Sequence, residues 1–286
     1  MTATEPFEIE GAGGVVLMAE RDGRGPRVVL AHGITAHRDL IVHGSRALPR
    51  AGYDVIRFDA RAHGESEPGP DGSYTYDVLG DDLERVIAAT AQEGDGEARP
   101  LLAGHSMGAH TIVNLALRDP SRIGGLVVIG PATTGLPPSE ESLAHWDELA
   151  DGLERGGVEG FLEAYDHGLD PDWRETLLRI ARERLSHHRH PQALAQALRE
   201  VPRSLPFEGM AELESLDVPT LVVASHDQAD PGHPYAVAEA YAEAIPGARL
   251  ISEPEGESPL AWQGGRLSRE LAAFAAEDAV RERLEG

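Results

Sequence analysis

Gly104-His105-Ser106-Met107-Gly108 has the pattern G-x-S-x-G, with the apolar run Leu101-Leu102-Ala103 before it and the helix-like stretch Ala109 to Leu117 after it. Strand, then G-x-S-x-G, then helix is the context a nucleophile elbow requires. In such an elbow a serine sits on a tight strand-to-helix turn and its hydroxyl is exposed at the end of a sheet. Glycine flanks it because a side chain there would collide with the neighbouring strand and helix. The following helix points its first N–H groups toward the site, where a developing oxyanion can use them. The chemistry this predicts is attack of the Ser106 hydroxyl on a carbonyl carbon, provided that some group takes its proton.

The elements that must position this serine are legible as alternating runs. Short apolar, β-branched stretches predict strands at Arg27–Ala31, Val55–Phe58, Leu101–Ala103, Leu126–Ile129, Thr220–Ala224 and Arg249–Ile251. Helical patterns fall near residues 38–51, 76–93, 108–118, 234–245 and 264–284. Phe7 to Glu20 alternate around a Gly-rich turn at Gly11 to Gly14, which reads as an opening β-hairpin. Strands alternating with helices predict an α/β fold, a mostly parallel sheet with helices on both faces. In such sheets ligands bind beyond the carboxyl ends of the strands. The loops after Ala31, Phe58, Ala103, Ile129, Ala224 and Ile251 are therefore the informative ones. Residues from about Pro137 to Pro206 break the alternation, with helical stretches at Glu140–Arg155, Val158–Asp166, Asp172–Leu185 and Pro191–Glu200 and no strand-like run. That is too long for a simple connection and reads as a helical insertion over the sheet edge that bears the site.

Composition bounds the partners. The chain has 286 residues, a net charge of −24 and no cysteine, and every one of its 25 basic residues is arginine. Disulfides, thiolate metal sites and cysteine nucleophiles are excluded, as are lysine Schiff bases and a serine–lysine dyad. The negative charge argues against nucleic acid and anionic membranes as partners. No apolar run is long enough for a membrane span. The first residues, Met1-Thr2-Ala3-Thr4-Glu5-Pro6, have neither the basic region nor the apolar core of a secretory signal, so a cytoplasmic location is expected. No metal-ligand spacing or Gly-rich phosphate loop occurs, so no cofactor is expected. The expected partner is a small-molecule substrate, and self-association into a homo-oligomer is left open.

Three stretches together, His32-Gly33 after Ala31, Asp59-Ala60-Arg61-Ala62-His63-Gly64-Glu65-Ser66 after Phe58, and Gly104-His105-Ser106-Met107-Gly108, resemble the α/β-hydrolase family over nearly the whole chain. The resemblance implies a core over residues 1–134 and 207–286 and a helical cap over 135–206. It implies Ser106 as nucleophile, with the N–H groups of Met107 and Ile34 as oxyanion donors and Gly33 allowing close backbone approach. It gives His32 and His63 bracing roles, and it turns the His105 side chain away from that of Ser106. Ala62 stands where the family usually has glycine. The acid is expected just after Thr220–Ala224, where Asp227 is favoured and Asp230, before a proline, is the alternative. The base departs from the pattern. No histidine follows His233, and Gly256-Glu257-Ser258-Pro259 has Glu257 at the family's histidine position. A carboxylate of ordinary pKa is a poor base for a serine hydroxyl at neutral pH. Two residues are therefore candidates for the base: His233, on the same loop as Asp227, and Glu257 itself. His37 and the histidines at 145, 167, 187, 188 and 190 are more remote. A small apolar ester or another carbonyl compound is the implied substrate. A catalytically altered member, binding a ligand or running a cofactor-free reaction other than hydrolysis, is the alternative.

Overall fold

The computed structural model describes residues 5–92, 97–167, 169–226, 230, 232–254 and 256–286. Its centre is a single eight-stranded sheet in the order β1-β2-β4-β3-β5-β6-β7-β8. The strands are β1 (Phe7–Glu10), β2 (Val16–Gly23), β3 (Arg27–Ala31), β4 (Asp54–Phe58), β5 (Leu101–His105), β6 (Gly125–Ile129), β7 (Thr220–Val223) and β8 (Arg249–Ile251). β1 and β2 form the expected hairpin, and β2 runs antiparallel to β4. From β4 to β8 every pairing is parallel.

Strand order reverses between β3 and β5: the chain leaves β3 to form β4 on one side and returns to place β5 on the other. Such a switch point opens a crevice at the carboxyl ends of the two strands. The register Ala31↔Gly104 brings the loop after β3 beside the turn after β5. Topology alone thus sets Gly33 and Ser106 next to each other.

The parallel strands are buried on both faces, which is why they read as continuous apolar runs rather than alternating ones. Leu102 and Val128 face one core layer with Val86 of α2 (Tyr76–Ala89; α1 is the short Ala47–Arg50), Ile112 of α3 (Met107–Arg118) and Tyr241 of a later helix over Tyr235–Ala244. Leu101, Ala103 and Val127 face the opposite layer with Leu48 of α1 and Leu271 and Val280 from the C-terminal helices. Full burial of each such side chain contributes about 1.5–3 kcal/mol.

Between β6 and β7 lie α4 (Glu140–Tyr165), α5 (Arg174–Leu185) and α6 (Pro191–Glu200), capped at the start by Ser139, whose hydroxyl accepts from the Ser142 N–H. These three helices share a core of their own that includes Leu153, Phe161, Leu185 and Leu198, and Ile34 of the β3 loop packs against it. The two helices expected at 140–155 and 158–166 are both present as the two halves of α4, separated by a sharp kink at Gly157, where φ is +59° and ψ −144°. A side chain at Gly157 would be strained, and the fold-back presses Gly152 against the backbone of Gly160. The remaining helices are α7 (Tyr235–Ala244), α8 (Gly264–Ala275) and α9 (Asp278–Glu285).

The helix expected over 38–51 is reduced to a turn at Arg38–Leu40 and to α1. Arg38 is drawn out of any helical stripe by bonds to Glu20, Asp59 and Glu65. Likewise the expected helix 264–284 is split into α8 and α9. Among the described residues no helix is long and apolar enough to cross a membrane.

Candidate active site

Ser106 joins β5 to α3 at φ +53° and ψ −114°, a conformation that side chains rarely adopt. Glycine packing enforces this strain. A Cβ on Gly104 would overlap the carbonyl of Gly108, and one on Gly108 would overlap the carbonyl of Ala31. A Cβ on Gly33 would lie 3.2 Å from that of Ser106 and 3.0 Å from His105 Nδ1. The Ser106 N–H is tied to the carbonyl of Ile129, 3.0 Å away. The N–H of Met107 opens α3, where the first N–H groups of a helix have no partner in it. Among the described residues the N–H of Ile34 also has no acceptor.

The loops around this turn are braced by neutral histidines. His32 donates from Nδ1 to the carbonyl of Gly33 at 2.8 Å, and its Nε2 accepts from the Ala60 N–H at 2.9 Å, joining the β3 and β4 loops. His63 donates from Nδ1 to the carbonyl of Arg61 at 2.9 Å. Burial pulls the pKa of each down to about 3, so both are neutral at pH 7. Ala62, with φ +64°, occupies a left-handed position, the reason glycine suits it. The Asp59 carboxylate accepts from the Arg38 and Glu65 N–H groups and pairs with the Arg38 guanidinium, filling the space a Cβ on Gly64 would need.

His233 is paired with a carboxylate of its own loop. Its Nδ1 lies 2.8 Å from both carboxylate oxygens of Asp230, three residues earlier on the same loop. Burial pushes the Asp230 carboxyl up, but the hydrogen bond from His233 and the nearby His105 and Arg184 outweigh it and hold the carboxyl below its ordinary value. Asp227 lies outside the described residues. The His233 ring reaches the end of β6: a Cβ on Gly130, at φ +54°, would be 3.3 Å from His233 Cγ and 3.4 Å from His105 Nε2. The rings of His105 and His233 are 4.9 Å apart. His105 lies between Gly33 and His233, and burial pulls its pKa down to about 3.

Glu257 stands elsewhere. Its side chain is 49% exposed and pairs with Arg266 at the surface. The buried carboxylate after β8 is that of Glu253, which accepts from the His226 N–H at 2.6 Å and from the Ser225 hydroxyl at 3.3 Å.

On the other side of Ser106 lies a cavity of about 280 Å³, bounded by Ile34, Tyr76, His110, Trp146 and Leu205. Its lining is mainly apolar. Of the aromatic side chains on α4 and at the start of α5, Trp146 lines it, Phe161 is buried among the helices, and Trp173 is exposed. Besides several serine and threonine hydroxyls, the cavity lining contains a polar pair that sequence reasoning missed. His110 Nε2 accepts from the Ala132 N–H at 3.1 Å, so its Nδ1 carries the proton and donates to the Tyr76 hydroxyl at 3.0 Å. The Tyr76 proton is then free for another acceptor. The available signal was spacing, since His110 follows Ser106 by one helical turn. Among the described residues no cluster of metal-ligating side chains occurs.

Known proteins share this fold. A family model described as the alpha/beta hydrolase fold matches residues 26–265. A Pseudomonas putida relative, 2-hydroxy-6-oxononadienedioate/2-hydroxy-6-oxononatrienedioate hydrolase 2, is 28% identical over 203 residues, 68% of this chain and 69% of its own. A thermophilic esterase from Thermogutta terrifontis superposes with a TM-score of 0.76 at 22% identity, covering 99% of this chain and 100% of that one. The enol-lactonase of Burkholderia xenovorans gives 0.74 at 23%, covering 96% and 100%. With its strand order, its strained serine turn and a match over most of its length, the chain belongs to the alpha/beta hydrolase fold family.

Proposed function

We propose that this protein is a serine hydrolase of small, largely apolar carbonyl compounds, esters foremost, in which His233 is the base and Asp230 its acid. The observation that carries this reading is the 2.8 Å contact from His233 Nδ1 to the Asp230 carboxylate, beside the Ser106 turn. An Nδ1–H held by a carboxylate leaves Nε2 with its lone pair, the form a general base needs. Helices α4 to α6 act as a cap over the cavity, with Trp146 and Ile34 shaping it. The relatives named as hydrolases and the solved esterase and lactonase share a substrate feature, a carbonyl carbon open to attack.

In the proposed mechanism, the Ser106 oxygen bonds to the carbonyl carbon while its proton passes to His233. The carbonyl π pair moves to oxygen, and the resulting oxyanion is held by the N–H groups of Ile34 and Met107. The leaving group departs with the proton from His233, and water repeats the sequence to free the acid and restore Ser106. Each oxyanion donor is worth about 3 kcal/mol in the transition state.

Incubation with a serine-directed fluorophosphonate, read by intact mass, tests the nucleophile. One adduct is expected on the wild type and none on Ser106→Ala. An unmodified wild type under forcing conditions, or ester hydrolysis unchanged by Ser106→Ala, would overturn the reading.

A further inference from the structure

The turn after α5 spells His187-His188-Arg189-His190, and each of the four residues grips the core. His188 Nδ1 accepts from the Gly64 N–H at 2.8 Å, and its Nε2–H donates to the carbonyl of Thr35 at 2.8 Å. The Arg189 N–H donates to the carbonyl of Gly64 at 2.9 Å, and its guanidinium pairs with Glu65. The His187 ring lies 4.5 Å from that of His37, and His190 Nε2 is 3.5 Å from the Glu67 carboxylate. Thr35, which follows Ile34, is held at φ +64°. A β-branched residue there is a true outlier, and it persists only when its surroundings fix it.

We propose that His188 is the positioning residue of the oxyanion loop: its neutral, Nε2-protonated ring clasps Thr35 to Gly64 and thereby fixes the N–H of Ile34, and protonation of the ring opens the clasp. The role assigned to Ile34 rests on the serine-hydrolase reading; the clasp itself does not. An imidazolium has two donors and no acceptor, so its Nδ1–H would confront the Gly64 N–H. Among the described residues, the groups that face the ring offset little of that charge. From the core it faces His63 edge-on at 5.7 Å, with His32 behind and His37 beside it. The nearest core carboxylate, Asp59, is already occupied by Arg38 and the Glu65 N–H. On its own turn, Arg189 is cationic and has Glu65 as its partner. Burial, then His63, pull the His188 pKa down to about 3, whereas an opened ring returns toward 6.5. Opening is therefore linked to proton uptake and becomes about tenfold more favourable for each pH unit below ~6.5.

Two variants divide the clasp between them. His188→Asn keeps an acceptor for the Gly64 N–H and loses the bond to Thr35; His188→Gln keeps the donor toward Thr35. Neither titrates. Amide exchange at Gly64 and Arg189, corrected for intrinsic rates, reads opening without any substrate. In the wild type the opening constant should rise about tenfold per pH unit in acid, and in both variants that dependence should vanish. With an ester substrate, His188→Asn should lower kcat by about 10- to 100-fold with little change in KM, and His188→Gln should recover most of it. Exchange that stays pH-dependent in His188→Asn, or equal kcat in the two variants, would overturn the proposal. Failure of the serine reading shows instead as a missing fluorophosphonate adduct, which leaves the exchange result standing.

Discussion

The loops that follow β7 and β8 are neighbours at the same end of the sheet, yet they are built for opposite tasks. The β7 loop holds a half-buried pair, His233 and Asp230, against His105 and the end of β6. The β8 loop carries Glu257 out to solvent, where Arg266 neutralises it, and turns Glu253 inward to accept from the His226 N–H. One loop carries the proposed proton-transfer groups, and the other ties it down through the His226 N–H. On the proposed reading, the histidine missing after the last strand is replaced by His233 on the preceding loop, and the β8 loop is a brace.

The sharpest way to break this contrast is to remove the base. His233→Ala should lower kcat for ester hydrolysis by about 10⁴-fold or more, and Asp230→Asn by about 10³- to 10⁴-fold, with the fold intact by circular dichroism. A loss below tenfold in His233→Ala would move the base elsewhere.

Acid should damage both sides of the Ser106 turn, since His32 and His63 on the β3 and β4 loops, and His188 bonded to those loops, share the depressed pKa of His105 and His110. His105 and His110 have folded pKa values near 3 against 6.5 when exposed. The unfolded state then binds the extra protons, so stability is complete above pH ~6.5. It falls toward pH ~3 by about 1.4 kcal/mol per pH unit for each histidine. Urea unfolding between about pH 6 and pH 4 should show His110→Gln taking up one proton fewer than the wild type.

Glu253→Gln weakens the brace. Replacing the charged acceptor of the His226 N–H should cost about 1–3 kcal/mol in urea unfolding, with a several-fold lower kcat as the dyad loosens. The smallest effect is expected from Glu257→Gln, an exposed pair worth less than about 1 kcal/mol, with unchanged kcat. A large drop in kcat for Glu257→Gln would reverse the roles of the two loops.

Much of the scaffold was legible because its signals are local. Runs such as Leu126–Ile129 and Thr220–Val223 are apolar throughout because the sheet buries both faces, and the glycines around Ser106 report the crowding of its turn. What escaped is non-local. Leu40, Ile41 and Val42 looked helical, but Ile41 and Val42 pack into the core from an irregular loop set by the Arg38 ion pairs. Glu257 sat at a familiar spacing, yet nothing in that spacing revealed Arg266 nearby. The histidines of 187–190 looked like surface residues, because their partners lie more than 120 positions away in sequence.

The three residues of β8 form the outer edge of the sheet, paired on one side only, by β7. Edge elements are where native chains open first, well before the whole molecule unfolds. A base carried beyond β8 would be lost with every such excursion. Because Asp230 and His233 share one short loop beyond β7, fraying of the last strand releases Glu253 and loosens that loop but does not part the two residues from each other. Inactivation by heat should accordingly lag behind the melting of the sheet's edge.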